Sequence, residues 1–550
     1  MESPENDPIK LSNQLLQSLL EKIPHVQNFK GKWASIRTKL NEVQAQLADF
    51  NDFPSSTSHP LCLDLLHSIS HTLNDASLFS EKCRSPNLSE GKLKTQSDID
   101  SILARLDRHI KDSEILTKSG VLQQGVVVSS SSKRDAIRAE TRNFLTRLQI
   151  GSTEAKQSAM DSLLGLLLED DKNVMIAVAQ GLVPVLVGLL DSSSFEMKEK
   201  TVAAISRVSM VDSSKHVLVA EGLLLLNHLL RILESGSGFA KEKACIVLQA
   251  LSISKENARA IGSRGGISSL LEICQGGTPG SQAFAAGVLR NLSVFSEIRE
   301  NFIEEKAIFV LIGLAASGTA TAQENAIGCL CNLVSEDESL KLLVAKEGVI
   351  ECLKNYWDSA PSVKTLEAAV ELLSHLASYH PVADFLVSDG FIARLVAVLN
   401  CGVLGVRIAA AQAVYELGFS TKTRKEMGEC GCIAPLIKML DGKAVEEKEA
   451  AAKTLSSLVL YAGNRRIFRR DQRGIVTTVQ LLDPSILNLD KKYPISVLSS
   501  LVHSKNCRKQ MVAAGATVHL QKLVEMDIEG AKKLLEALGR SKIWGVFSRP

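Results

Sequence analysis

A short apolar helix, a glycine and a second apolar helix recur along this chain, and that repetition constrains the fold more than any other feature. It is clearest from Val382 to Leu399, VADFLVSDGFIARLVAVL, where Ile392, Leu395, Val396 and Leu399 follow Gly390 at the three-and-four spacing of one buried helix face. The same pattern stands in VAQGLVPVLVGLL around Gly181, VLVAEGLLLLNHLL around Gly222, LLVAKEGVIECL around Gly348 and MVAAGATVHLQKLV around Gly515. Neither helix can bury its face alone, so the units must stack on one another. The turn position falls at Gly181, Gly222, Gly266, Lys306, Gly348, Gly390, Gly431, Gly474 and Gly515, at successive spacings of 41, 44, 40, 42, 42, 41, 43 and 41 residues. An all-helical unit of that period predicts one continuous repeat core, not the three or four globular domains that 550 residues would otherwise suggest. Glycine suits the turn because a sharp reversal between helices calls for a positive φ that a Cβ penalises. Lys306 departs from this rule, and its unit has either a different turn or local strain.

Residues 8 to 118 do not share the repeat. Four amphipathic segments are visible, Ile9 to Ile23, Lys32 to Phe50, Leu61 to Phe79 and Ser97 to Leu116. In the second, Trp33, Ile36, Leu40, Val43 and Leu47 form a stripe; in the fourth, Ile99, Ile102, Leu103, Leu106 and Ile110 do so. Ser97 with Asp98 is expected to cap the fourth helix, and the whole reads as an up-and-down four-helix bundle. The predicted organisation is a helical bundle over 1–118, a flexible linker over 119–133 containing Ser129 to Ser132, repeats over 134–539 and a tail over 540–550. His67 and His71 stand four apart, but HSISH lacks the Glu of a metalloprotease helix and reads as a solvated face.

The net charge is +2 and aromatic residues make up 4% of the chain, so there is neither a basic field nor a set of stacking platforms for nucleic acid. MESPENDPIK has no basic flank leading into an apolar core, and no stretch approaches the roughly 18–20 apolar residues that span a bilayer. Glu2 excludes myristoylation, and GVFSRP carries no prenylation Cys. A cytoplasmic location is expected, with the nucleus as a second compartment. The eleven Cys follow no framework, and Cys329/Cys331 and Cys430/Cys432 are too close for a CxxC pair, so buried reduced thiols are expected.

Each repeat continues into a third helix of small and apolar residues, such as Gln282 to Ser293, Glu324 to Val334 and Val406 to Gly418. A short first helix, Gly, a second helix of the form GxIxxLVxLL and a third ending near NLS or ELG strongly resemble the armadillo family over about Arg134 to Gly539. The resemblance implies an all-α protein in which the N-terminal four-helix bundle is followed by a right-handed armadillo α-solenoid. It also implies that the third helices line a concave surface where extended peptides bind. In the importin-alpha relatives a Trp and an Asn four residues later recur on those helices. Aligning this chain on Asn291 and Asn332 puts Arg207, Ala250, His375, Glu416, Ser457 and Ser500 at the Asn position, and no Trp stands four residues before any of them. A transport adaptor is therefore disfavoured. The helical region followed by repeats resembles plant U-box/armadillo ubiquitin ligases and their relatives without a U-box. Here no U-box module of roughly seventy residues stands between bundle and repeats.

Searches for chemistry return little. ESGSGFAKE near Gly236 and GGTPGS near Gly277 lack the GxxxxGK[ST] pattern and read as loops between second and third helices; GxSxG, CxxC and HExxH are absent. The chain reads as a non-enzyme without cofactor or metal. NRRIFRRDQRG places Arg465, Arg469 and Arg473 four apart, a candidate anion contact on one helix face, with a solvated convex helix as the simpler reading. The tail RSKIWGVFSRP reads as a terminal cap, with a docking peptide or weak membrane-surface contact as the alternative. The function expected is a protein–protein interaction scaffold or adaptor, binding proteins or extended peptides along a groove on the order of 80–90 Å long. Its candidate contacts are Arg207, Asn291, Asn332, His375 and Glu416. The alternative is the substrate-binding subunit of a ubiquitin ligase acting with a separate catalytic chain.

Overall fold

The structure, a computed structural model, describes residues 7–53, 55–85, 91–123 and 133–543. Among the described residues there are helices and turns but no strands. The chain divides into two compact units, Met1–Leu251 and Ser252–Pro550.

The first unit opens with α1 (Pro8–Lys22), α2 (Lys30–Phe50), α3 (Pro60–Lys82) and α4 (Lys92–Lys118). Pro8 and Pro60 sit where a helix needs no N–H, and the Asp7 carboxylate accepts from the Ile9 N–H. The predicted stripes form the core: Trp33, Ile36, Leu40, Val43 and Leu47 on α2 and Ile99, Ile102 and Leu106 on α4 are all buried. Each such aliphatic side chain contributes roughly 1.5–3 kcal/mol relative to exposure.

One expectation for this region needs correction, and the packing order adds a second finding. The fourth helix is not capped by Ser97 and Asp98; it begins at Lys92, after Gly91 at φ +82°, leaving both residues inside it. Helix-favouring residues in KLKTQ extend it backward until that glycine breaks the run. The helices alternate up and down as expected, but their neighbour order in space is not their chain order. Helix α1 packs on α3, α2 on α4, α3 on α4 and α1 on α2, so that α2 and α3 face each other across a diagonal. The polar pairs give the directions. Lys22 with Glu81 and Ser12 with Ser70 make α1 parallel to α3, and Lys32 with Asp100 and Lys39 with Asp107 make α2 parallel to α4. Arg105 with Asp75 and His109 with Thr72 make α3 and α4 antiparallel. His67 and His71 are exposed on α3, and His71 Nδ1 lies 3.3 Å from Asp75 Oδ2.

Val121–Gln123 form a 3-10 turn with Val121 and Leu122 buried, while Ser129 to Ser132 lie outside the described residues. Helices α5 (Lys133–Ile150) and α6 (Thr153–Glu169) follow, the second capped by Ser152 Oγ accepting from the Ala155 N–H. The third helices Phe195–Ser209 and Gly238–Leu251 then stack in order on α6.

In the second unit seven third helices stack each on the next: Pro279–Ser293, Ala320–Val334, Glu367–Ala377, Leu404–Leu417, Val445–Leu458, Lys492–Leu501 and Ala531–Ile543. The unit first read in the sequence appears as His380–Ser388, Gly390 at φ +76°, Phe391–Val398 and Leu404–Leu417. Lys306 makes the same left-handed turn as its glycine counterparts, at φ +54°, so the repeat keeps its turn and takes the strain. At two positions the glycine does something else. The left-handed residue is Gly265, not Gly266, and Gly474 has no positive φ. A Cβ on Gly474 would stand 3.0 Å from the Phe468 ring, so close approach, not backbone torsion, selects glycine there. The residues near Gly236 and Gly277 are corners between second and third helices, where a Cβ on Gly277 would stand 2.5 Å from the Ile273 carbonyl oxygen. All eleven cysteines are free, and all but Cys401 and Cys430 are buried. Burial pushes the thiols of Cys245, Cys329, Cys331 and Cys432 up to about 12, so they remain protonated. The tail from Trp544 to Pro550 lies outside the described residues.

Candidate groove and its side chains

Of the five candidate groove residues, Arg207 stands on the Phe195–Ser209 helix of the first unit, and the other four stand on consecutive third helices of the second. All five are partly exposed. Several are tied up more than the linear pattern implies. Arg207 Nε donates to the Leu167 carbonyl at 3.0 Å, and its Nη2 lies 2.5 Å from Asp171 Oδ1, so the guanidinium closes the end of α6. Asn332 Nδ2 donates to the Arg290 carbonyl at 3.2 Å and to Ser293 Oγ at 3.0 Å, both on the preceding third helix. Asn291 Nδ2 reaches Ser252 Oγ at 3.0 Å. The two asparagines that anchored the alignment are therefore both engaged within the protein, Asn332 on the preceding third helix and Asn291 on the turn at Ser252. Thr454 Oγ1 and Ser457 Oγ make the same kind of link, to the Ala411 and Gly418 carbonyls. His375 is held below its ordinary range by burial, with the nearby Lys341 ammonium adding to the effect, so it presents a neutral ring. Glu416 is half-buried on Leu404–Leu417.

Counting back four and eight residues along each third helix finds the rest of the face. Glu324 and Gly328 precede Asn332, Glu367 and Glu371 precede His375, and Gln412 precedes Glu416. These carboxylates are close enough to affect one another. The Glu371 carboxyl is pushed up by desolvation first and by the Glu367 charge second, while Arg290 pulls it down. Arg290 Nη1 lies 3.9 Å from Glu324 Oε1 and 3.5 Å from Asn325 Oδ1. Gly328 makes room for that guanidinium, since a Cβ there would stand 2.5 Å from Arg290 Nε. The centre of the row is thus acidic, with one arginine embedded in it. Beyond it the charge changes, and Lys453 Nζ sits 4.3 Å above the Tyr415 ring.

The expectation of three arginines on one helix face does not hold. The helix carrying Arg465 is Ala462–Phe468 and only seven residues long; Arg469 is its C-cap, and Arg473 lies past the turn, at the entry to Gly474–Gln480. Asp471 ends the run, because its Oδ1 accepts from the Arg473 and Gly474 N–H groups and starts the next helix. Arg465 Nη1 donates to the Val459 and Leu460 carbonyls at 2.9 Å each, closing the end of the Val445–Leu458 helix. Arg508, at the matching place one repeat later, donates to the Val502 carbonyl in the same way. The sequence signal was present: both arginines follow the groove position, Ser457 or Ser500, by eight residues.

Among the described residues, no group of three or more His, Cys, Asp or Glu could hold a metal ion. No single helix among them is long and apolar enough to cross a membrane. Comparison with family models matches residues 10–121 to a domain of unknown function, DUF7032, and residues 170–210 to the armadillo/beta-catenin-like repeat. The search of curated proteins found no match. A solved structure of an engineered protein is similar with a TM-score of 0.62 at 21% identity, over 73% of this chain and 99% of its own. With the recurring three-helix unit, these findings identify the fold after the bundle as an all-α solenoid of the armadillo type.

Proposed function

We propose that this protein is a non-catalytic interaction scaffold whose Ser252–Pro550 unit holds an extended segment of a partner protein along its row of third helices. The reading rests on the continuous polar row of that unit, with Glu324, Glu367, Glu371 and Glu416 at its centre. Seven helices at roughly 8–10 Å spacing make a track of about 50–60 Å, the reach of about 15 extended residues. Carboxylates that already repel one another gain from a cation between them, so the segment carries Lys or Arg opposite that stretch. The same charges disfavour a nucleic-acid backbone. The thiols of Cys329 and Cys331 on the same helix as Asn332 are buried and held protonated, which suits a surface used for recognition.

The test is an array of synthetic peptides probed with the full chain and with a Glu371→Lys, Glu416→Lys variant of unchanged thermal stability. Lys- and Arg-rich peptides should bind the native chain and lose at least about tenfold in the variant, the size of one lost charge-assisted contact. Equal binding by both proteins would remove the row from the function.

A further inference from the structure

Arg465 and Arg469 line an open depression of about 660 Å³ with Ser496, Ser499, Ser500, His503 and Ser504. Three observations bear on what this depression can bind. First, the cations carry no counter-charge: among the described residues neither arginine has a carboxylate within 4 Å, as is also true of Arg424 and Arg508 but not of Arg259, Arg290, Arg299, Arg394 and Arg407, and Arg469 uses only its Nε, on the Arg465 carbonyl at 3.0 Å. Second, its hydroxyls are unused. Ser496, Ser499 and Ser500 make no side-chain hydrogen bond within the described residues, whereas Ser293 and Ser456 on other third helices bond back to their own helix and Ser457 reaches the Gly418 carbonyl. Ser504 is the N-cap of Lys505–Ala513, yet its side chain does not cap, which leaves first-turn N–H donors at the rim. Third, Arg465 is pre-set, because the carbonyls of Val459 and Leu460 hold its Nη1 while the residue also lines the depression.

We propose that this depression is a phosphoryl-binding subsite, taking a phosphoserine or phosphothreonine carried by the segment that lies on the acidic row; it rests on the groove reading above. A phosphoryl group offers three acceptor oxygens and nearly two negative charges, which matches two guanidinium groups beside hydroxyl donors better than a planar carboxylate does. A peptide source follows from position. Ser496 and Ser500 occupy the same third-helix places as Gly328 and Asn332, so the depression is the continuation of the row and not a separate surface. The Glu367–Ala377 and Lys492–Leu501 helices are three steps apart, roughly 24–30 Å, which sets the basic residues and the phosphoryl group about eight extended residues apart in the ligand.

The experiment uses the full chain and an arrayed peptide set in which every sequence is present in serine and phosphoserine forms. Basic residues are placed at varied distances from the modified position. Phosphorylated members with the spacing of about eight should bind at least tenfold tighter than their serine forms. That gain should vanish in Arg469→Glu and in Ser500→Asp, which leave the Arg465 cap intact, and persist in Arg470→Glu, an exposed arginine outside the depression. Equal binding of both forms, or a gain that survives both variants, overturns the subsite. If Lys-rich binding is meanwhile still lost on reversing Glu371 and Glu416, the groove reading stands alone. Inorganic phosphate or anionic phosphoinositide vesicles binding at this place, with no phosphopeptide preference, would also overturn the peptide assignment.

Discussion

Lys306 offers a clean measure of what the turn glycines contribute. It holds φ +54° in the place where Gly348 and Gly390 hold +94° and +76°. A Cβ built on either glycine meets no atom within 4 Å, so the difference between lysine and glycine there is backbone torsion alone, with no clash to confuse it. The lysine side chain is exposed and forms no ion pair among the described residues, so little is lost with it. An L-residue in the left-handed region costs about 1–2 kcal/mol, while glycine gives up roughly 0.5–1 kcal/mol of chain entropy on folding. The balance predicts that Lys306→Gly stabilises its repeat by roughly 0.5–1 kcal/mol, and that Gly390→Ala destabilises its own by a similar amount. Native-state hydrogen exchange on the full chain reads this locally, which matters because a repeat array need not unfold as one unit. Amides of Ala307–Ser317 should exchange roughly two- to fivefold more slowly in Lys306→Gly. Amides of Phe391–Val398 should exchange faster by a like factor in Gly390→Ala. Unchanged or faster exchange in Lys306→Gly, alongside the expected effect at Gly390, would refute the torsional account.

Other outcomes follow from single contacts. Asn332→Ala removes two hydrogen bonds to the preceding third helix and should lower stability by about 1–2 kcal/mol, read as a urea midpoint shift with Trp357 emission near Phe391. Gly277→Ala drives a methyl to 2.5 Å from the Ile273 carbonyl and should destabilise by about 2 kcal/mol or more, which exchange across Gly266–Gly276 would reveal. In the bundle, burial first and the charges of Arg105 and Arg108 next hold His109 down at about 4, below its ordinary 6.5. The unfolded chain therefore binds the extra proton first. Stability is full above about pH 6.5 and falls by on the order of 3 kcal/mol as pH drops toward 4. Emission of the buried Trp33 should report that loss, and His109→Gln should flatten it.

Most of the helices could be read from the sequence because amphipathic spacing is a local property. Which stripe meets which was not legible: the stripes on α2 and α4 demand partners without naming them, and the diagonal between α2 and α3 is set by packing across the whole bundle. The start of α4 was missed because Ser97 and Asp98 look like a cap while Gly91, six residues earlier, holds the backbone turn that admits the helix. The arginine run misled for a related reason. Four-residue spacing means one face only if the helix continues, and Asp471 ends it by binding the N–H groups of the next one. The alignment placed Asn291, Asn332, His375 and Glu416 on successive third helices but looked for a Trp four residues earlier, and so gave no weight to the charges of Arg290, Glu324 and Glu371 beside them. Double use of a side chain, as at Asn332 and Arg465, exists only once the neighbouring helix is in place.

That double use gives the groove a mechanical character. The Asn332 amide is a tie between two successive coils of a spring, fastened at the Arg290 carbonyl and the Ser293 hydroxyl, and Thr454 and Ser457 fasten another pair. Stretching or unwinding the spring must break those ties one coil at a time, on the same surface that we propose a ligand covers. A segment lying over the ties shields them from water and stiffens the spring, while one that takes the Asn332 amide for itself slackens the coil beneath it.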